Sequence, residues 1–307
     1  MKAKTMAGTP KKSIWARIWD NRELYLLLII PVVLTFVYKY IPMYGIQIAF
    51  RDYKASRGIW GSEWVGMQWF NRFFSAPNAG RMIKNTLLLS LYALLWSFPI
   101  PIILSLCINQ LRFKRYKKTI QTILYAPHFI STMVVCGMIR IFLSPSGGLI
   151  NLLLGTSIDF LTESSAFRTI YIASGIWQDA GWGCIIYLAT LSSVDSALYE
   201  AAKVDGASVF QRIMNIDIPA LLPMAILNLI MSAGSLMNVG FEKAWLLQTD
   251  LNKATSDVIA VYVYQLGIEN AKYSLSTAVG LFNTMVNLIL LFIVNRIAKK
   301  TSEVDFV

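Results

Sequence analysis

Leu87-Leu88-Leu89-Ser90-Leu91-Tyr92-Ala93-Leu94-Leu95-Trp96-Ser97-Phe98-Pro99-Ile100-Pro101-Ile102-Ile103-Leu104-Ser105-Leu106-Cys107-Ile108 contains no charged side chain. About 20 mostly apolar residues are enough for a helix to cross a hydrocarbon core roughly 30 Å thick. Working outward from this run, five further apolar windows appear at Leu24–Tyr38, Ile123–Leu143, Thr169–Leu191, Leu221–Phe241 and Leu275–Ile297. The first can lengthen through Ile41, with Tyr38-Lys39-Tyr40 as an interfacial anchor. The third carries both Pro127 and Arg140 inside it. The expectation is an all-α integral membrane protein with about six transmembrane helices.

Composition supports this reading. The 307 residues are 56% hydrophobic and 15% charged, and the mean hydropathy is +0.53. Soluble chains are about a quarter charged, so two soluble domains would lack the charge to clothe their surfaces. The net charge of +11 fits the cytoplasmic flanks of membrane spans better than nucleic-acid binding. Cys107, Cys136 and Cys184 lie far apart inside apolar stretches, which suggests neither a disulfide framework nor a thiolate metal site. His128 has no second His, Cys or Glu at ligand spacing, so metal-dependent chemistry is unsupported. Gly8-Thr9-Pro10-Lys11-Lys12-Ser13 lacks the second glycine of a phosphate-binding loop. No nucleotide site and no cofactor are expected in this chain.

Orientation follows from the basic residues. Residues 1–23 are expected to form a cytoplasmic basic tail. Arg112, Lys114, Arg115, Lys117 and Lys118 crowd the loop after the second span, and Arg296, Lys299 and Lys300 end the last one. Six spans place all three groups on one side, which the positive-inside rule makes cytoplasmic, with residues 298–307 as a second cytoplasmic tail. Residues 24–297 are then the membrane domain. The aromatic loop with Trp60, Trp64, Trp69, Phe70, Phe73 and Phe74 falls outside, as a partner contact or an interfacial helix.

Between spans four and five lies residues 195–219, on the cytoplasmic side. Asp195 is placed to cap a helix that runs to about Gly206, with Ala197, Ala201 and Ala202 as a small-residue stripe. Ala207-Ser208 would turn the chain, and Pro219 would stop a second helical stretch. Asp195, Glu200 and Asp205 against Lys203 leave this element mildly acidic on an otherwise basic face.

Glu200-Ala201-Ala202, then Gly206, then Ile216-Asp217-Ile218-Pro219 resemble the EAA motif of ABC importer permeases, which reads Glu-Ala-Ala, three residues, Gly, nine residues, Ile, any residue, Leu, Pro. The single departure is Ile218 where Leu is usual. Ile176-Trp177 with Gly181, Leu188-Ala189, Leu198-Tyr199, Asp205-Gly206-Ala207, Arg112-Phe113-Lys114-Arg115 and Ser144-Pro145-Ser146-Gly147-Gly148-Leu149-Ile150-Asn151 are similar to carbohydrate permeases of the oligosaccharide and polysaccharide, LplB-like type. The resemblance implies a coupling helix held in a cleft of a cytoplasmic ATPase. In it Glu200 would pair with a basic group, Ala201 and Ala202 would pack, and Gly206 would allow the bend; Ile216 and Pro219 complete the motif.

It also implies a second permease subunit, an ATPase dimer carrying ATP and Mg, an extracytoplasmic solute-binding protein and a bacterial cell membrane with both termini inside. A carbohydrate substrate is implied, and no nucleic acid. Polar groups inside spans tend to face a cavity or bundle interior. Arg140, Trp177, Gln178, Asp179, Trp182, Asn228, Ser232, Asn238, Asn283 and Asn287 are therefore the pathway candidates. For Asn228, Ser232 and Asn283 helix-to-helix hydrogen bonding competes with substrate contact; for Arg140 and Asp179 a mutual ion pair does. A secondary transporter would lean on repeats and a membrane carboxylate, and a membrane enzyme on a cluster of catalytic groups. The sequence shows no repeat and no such cluster.

Overall fold

The computed structural model describes residues 19–301. Most of the tails expected at residues 1–23 and 298–307 lie outside the described residues. Among the described residues four helical runs are long and apolar enough to cross a membrane: Arg22–Phe50, Ala79–Asn109, Val209–Gly234 and Tyr273–Ile297. A bent pair adds a fifth if counted as one span. The 29-residue helix Ser164–Ser192, which contains the expected fourth span, is not among these runs.

The first span begins as α1 (Arg22–Thr35) and passes through a π turn, Phe36–Tyr40, into a 3-10 stretch, Ile41–Phe50. An antiparallel hairpin follows, β1 (Arg51–Lys54) and β2 (Gly58–Trp64). Arg51 lies over the rings of Trp60 and Trp64. In the short helix Gln68–Phe74, Phe70 and Phe73 are buried, so two of the six aromatics expected in the contact surface are core. The second span is the pair α2 (Ala79–Ser97) and α3 (Pro99–Asn109), joined at Phe98.

The third window, Ile123–Leu143, is not one helix. It divides into α4 (Lys114–Tyr125), a 3-10 turn Ala126–Phe129, and α5 (Thr132–Phe142), and the two arms are bent by 96°. Pro127 has no N–H to continue the ladder. Ile130 and Ser131 are extended, and the Ser131 hydroxyl caps α5 by accepting from the N–H of Val134. Gln178 Nε2 donates to the carbonyl of Ile130 at 2.8 Å, fastening the break to the neighbouring helix.

That neighbour, α6 (Ser164–Ser192), is the central pillar and packs against α2, α3 and α4. Its crossing with α4 depends on Gly181, where a Cβ would stand 2.0 Å from the carbonyl oxygen of Leu124. After α6 come α7 (Ser196–Val204) and α8 (Val209–Arg212), then a π turn, Ile213–Asp217, and α9 (Ile218–Gly234).

Pro219 does not stop the helix, contrary to the sequence expectation: Val209–Gly234 is a 26-residue run. A proline ring ordinarily clashes with the carbonyl four residues back. Here the π turn bonds Ile218 N–H to Ile213 O and re-spaces the carbonyls just ahead of the ring. The same pairing of π turn and Ile-Pro recurs at Phe36–Tyr40 before Ile41-Pro42.

The fifth window, Leu221–Phe241, also ends early. The helix stops at Gly234, and Phe241 opens a separate short helix, α10 (Phe241–Leu247). Met237 and Val239 remain apolar and buried, but as core side chains on non-helical backbone. The buried N–H of Met237 is satisfied by Asn287 Oδ1 at 2.7 Å, from the last helix, α11 (Tyr273–Thr301). Leu89, Phe167, Val239, Ala244 and Leu247 form one core cluster around α10, and Tyr187, Leu191, Leu221 and Ala225 another between α6 and α9.

Candidate functional site: a coupling element joined to a membrane cavity

Residues 195–219 fold as a capped helix pair. Asp195 accepts from the N–H of Ala197 at 2.9 Å at the start of α7. At its end, Gly206 N–H donates to Lys203 O at 3.1 Å and Ala207 N–H to Ala202 O at 2.8 Å. This pair of bonds is a Schellman cap, which places the residue after the helix in the left-handed region. That residue is Gly206, with φ +73°. Ser208 and Gln211 then form a reciprocal capping box on α8. The bend expected at Gly206 is present, three residues ahead of Val209, where the second helix starts.

Glu200 and Ala201 are exposed and Ala202 is half-buried. Leu198, Val204 and Phe210 are exposed beside them, Val204 to 88%. Ile216 is half-buried and Pro219 exposed. Underneath, Asp217 is completely buried and accepts from the Tyr199 hydroxyl at 2.5 Å and from Gln110 Nε2 at 2.9 Å. One carboxylate thus ties α7, the end of α3 and the base of α9. Burial, then Asp217, pushes the Tyr199 phenol up to about 12, so it stays a donor at neutral pH. The sequence sets Tyr199 and Asp217 inside motifs but does not show their bond; an acid in the otherwise apolar Ile216-Asp217-Ile218-Pro219 is the available signal.

Between α2, α3, α6, α9 and α10 lies a cavity of two contiguous lobes, about 390 and 530 Å³. Ala93, Ser97, Pro101, Tyr171, Gly183 and Gly240 line both. Of the pathway candidates, Asn228, Ser232 and Asn238 line the first lobe, and Gln178 and Asp179 the second.

Asn238, Asn283 and Asn287 come together: Asn287 Nδ2 donates to Asn238 Oδ1 at 3.0 Å, and Asn283 Nδ2 approaches the same oxygen at 3.4 Å. Asn283 and Asn287 thereby fasten the break after α9 to α11 and do not line the cavity. Trp177 and Arg140 are also outside it. Arg140 is not paired with Asp179; its guanidinium donates to the carbonyl of Leu246 in α10. Asp179 instead pairs with His128 Nδ1 at 2.9 Å. His128 stacks on Trp182, ring centroids 4.4 Å apart and planes 9° from parallel. Trp182 therefore braces the bend of the third span.

Lys243, just beyond the fifth window, was missed. It is 8% exposed on α10, lines the second lobe with Glu242, and lies over the Tyr171 ring at 5.1 Å. A charged side chain this deep beside apolar helices was its signal.

Residues 73–303 match the family described as "Binding-protein-dependent transport system inner membrane component". Protein LplB of Bacillus subtilis (strain 168) is 44% identical over 292 residues, covering 94% of this chain and 92% of that protein. The polygalacturonan/rhamnogalacturonan transport system permease protein YteP of the same organism is 40% identical, covering 95% and 92%. Among solved structures, a bacterial ABC transporter involved in the import of the acidic polysaccharide alginate is 39% identical. It has a TM-score of 0.85 and covers 94% of this chain and 99% of that one. The alginate transporter in complex with a periplasmic protein bound to an alginate pentasaccharide gives 38% and a TM-score of 0.86, with 96% and 100% covered. With the helix arrangement, the EAA segment and these matches in agreement, the chain belongs to the family of inner membrane components of binding-protein-dependent transport systems.

Proposed function

We propose that this permease carries an oligosaccharide, delivered by an extracytoplasmic binding protein, through the cavity between α2, α3, α6 and α9. It works beside a second permease subunit in a bacterial cell membrane. Two cytoplasmic ATPase subunits supply the ATP chemistry with Mg, and this chain brings no cofactor of its own. Both termini and residues 195–219 face the cytoplasm, in keeping with the basic loops.

The observation that carries the reading is the EAA segment, folded as a rigid capped pair and continuous with a membrane helix. Glu200 is the group offered to a basic residue of the ATPase. Ala201 and Ala202 permit close approach, and Gly206 sets the angle of the pair. Asp217 passes displacement of α7 to α9 and α3. The side chains of Asn228 and Ser232 then move with α9, and the cavity switches between two global states that the ligands bind differently.

The test is the tagged chain purified with its partners. Recovery of an ATPase and a second permease is expected, and Glu200→Ala should insert normally while losing most saccharide-stimulated ATP hydrolysis and uptake. Wild-type uptake in Glu200→Ala would sink the coupling role. A chain that transports alone in liposomes without ATP would replace the whole reading with a secondary transporter.

A further inference from the structure

We propose that Lys243 reads a carboxylate on the passing saccharide, so that the cargo is an acidic saccharide. The inference rests on the saccharide-permease reading above and specifies its substrate class.

Lys243 is over nine-tenths buried, yet among the described residues it has no hydrogen bond and no carboxylate within ion-pair distance. Its contact is the face of Tyr171, which offsets only part of the desolvation of an ammonium. The acids lining the same lobe form no ion pair with it, and Asp179 attracts it only from a distance. Asp179 is engaged with His128, and the Glu242 side chain is exposed. Gly175 of α6 leaves the Lys243 Nζ open on that side, where a Cβ would stand in van der Waals contact with it at 3.4 Å. The lobe, about 530 Å³, is of the size of ligand pockets and offers Ser97, Thr132 and Gln178 as polar groups.

Neutral sugar hydroxyls can accept hydrogen bonds from this ammonium but bring it no opposite charge, whereas hydrogen bonds to an ionised partner are about twice as strong. A carboxylate restores the balance at the moment the saccharide occupies the lobe. Lysine suits the task better than arginine, since a compact charge on a flexible stem can follow a moving anion without locking it in a bidentate fork. Translocation needs binding strong enough to admit the cargo and weak enough to release it.

The whole assembly, with partner permease, ATPases and binding protein, is reconstituted in liposomes. ATP-driven uptake is measured for a galacturonate tetrasaccharide and for its fully methyl-esterified form. Lys243→Met should lower uptake of the free acid tenfold or more while changing uptake of the ester less than twofold, and Lys243→Arg should keep most of the acid uptake. The binding protein is common to all arms, so the ratio of ratios reports on the permease. Equal loss of acid and ester would assign Lys243 to packing, and wild-type acid uptake in Lys243→Met would also overturn the proposal. The wild-type assembly alone provides a check that needs no variant: uptake of the ester matching or exceeding the acid overturns it as well. If no saccharide-loaded binding protein stimulates ATP hydrolysis by the wild type, the saccharide reading itself fails.

Discussion

The Tyr199 hydroxyl donates to Asp217 Oδ1 at 2.5 Å, joining residues 18 apart on two arms of the coupling segment. Gln110 from the end of α3 completes the set. Tyr199→Phe removes one donor from a buried carboxylate, an unmet polar group that costs about 1–3 kcal/mol. We expect a folded, inserted protein with severalfold less substrate-stimulated ATP hydrolysis, measured in proteoliposomes; hydrolysis and uptake at wild-type levels would count against the strut. The raised phenol also fixes a pH window. Because the folded value lies above the usual 10.0 of a free tyrosine, its contribution is whole below pH 10 and fades as pH climbs toward 12. The effect of Tyr199→Phe should accordingly be constant between pH 6 and 9.

Gly206 occupies the left-handed position of the Schellman cap. A β-branched residue there is strained by roughly 1–3 kcal/mol. Gly206→Val should uncouple ATP hydrolysis from uptake, whereas Ala207→Ser should leave both near wild type. The decisive readout is the ratio of sugar moved to ATP consumed, and identical ratios for the two variants would remove the bend from the mechanism.

Gly181 and Gly183 sit two residues apart on α6 but face different neighbours. A Cβ at 181 meets backbone, the Leu124 carbonyl oxygen at 2.0 Å; a Cβ at 183 meets the Pro101 ring at 3.1 Å. Backbone of a packed helix yields less readily than a ring edge, so Gly181→Ala should lower the detergent melting temperature clearly more than Gly183→Ala. The reverse order, by thermal unfolding of the purified complex, would refute the close-crossing account.

Much of this was legible from local chemistry. The Asp195 cap, the Gly206 bend and the apolar spans follow from rules acting within a few residues, and the EAA spacing is itself local. Pro219 misled because the proline rule assumes a regular α-helical ladder ahead of it, and a π turn had already altered that ladder. The end of the fifth span misled for the opposite reason. Leu236 and Met237 keep the apolar pattern, but Asn287, 50 residues away, captures the Met237 N–H. Pairings such as His128 with Asp179 and Arg140 with Leu246 O link residues 51 and 106 apart. No periodicity in the sequence encodes them; they exist only once the helices have packed.

The run through Pro219 puts α8, which starts just after the Ser208 cap, and the cavity-lining Asn228 and Ser232 on one rod of 26 residues, about 39 Å long at 1.5 Å per residue. A rod conducts in both directions. Any saccharide that favours one setting of the cavity must change the grip of the coupling pair on its ATPase, and the ATPase must change the saccharide affinity by the same factor. On the proposed coupling, the permease is as much a sensor reporting cargo inward as a gate driven outward, and the helix that would transmit the stroke would also restrain futile hydrolysis.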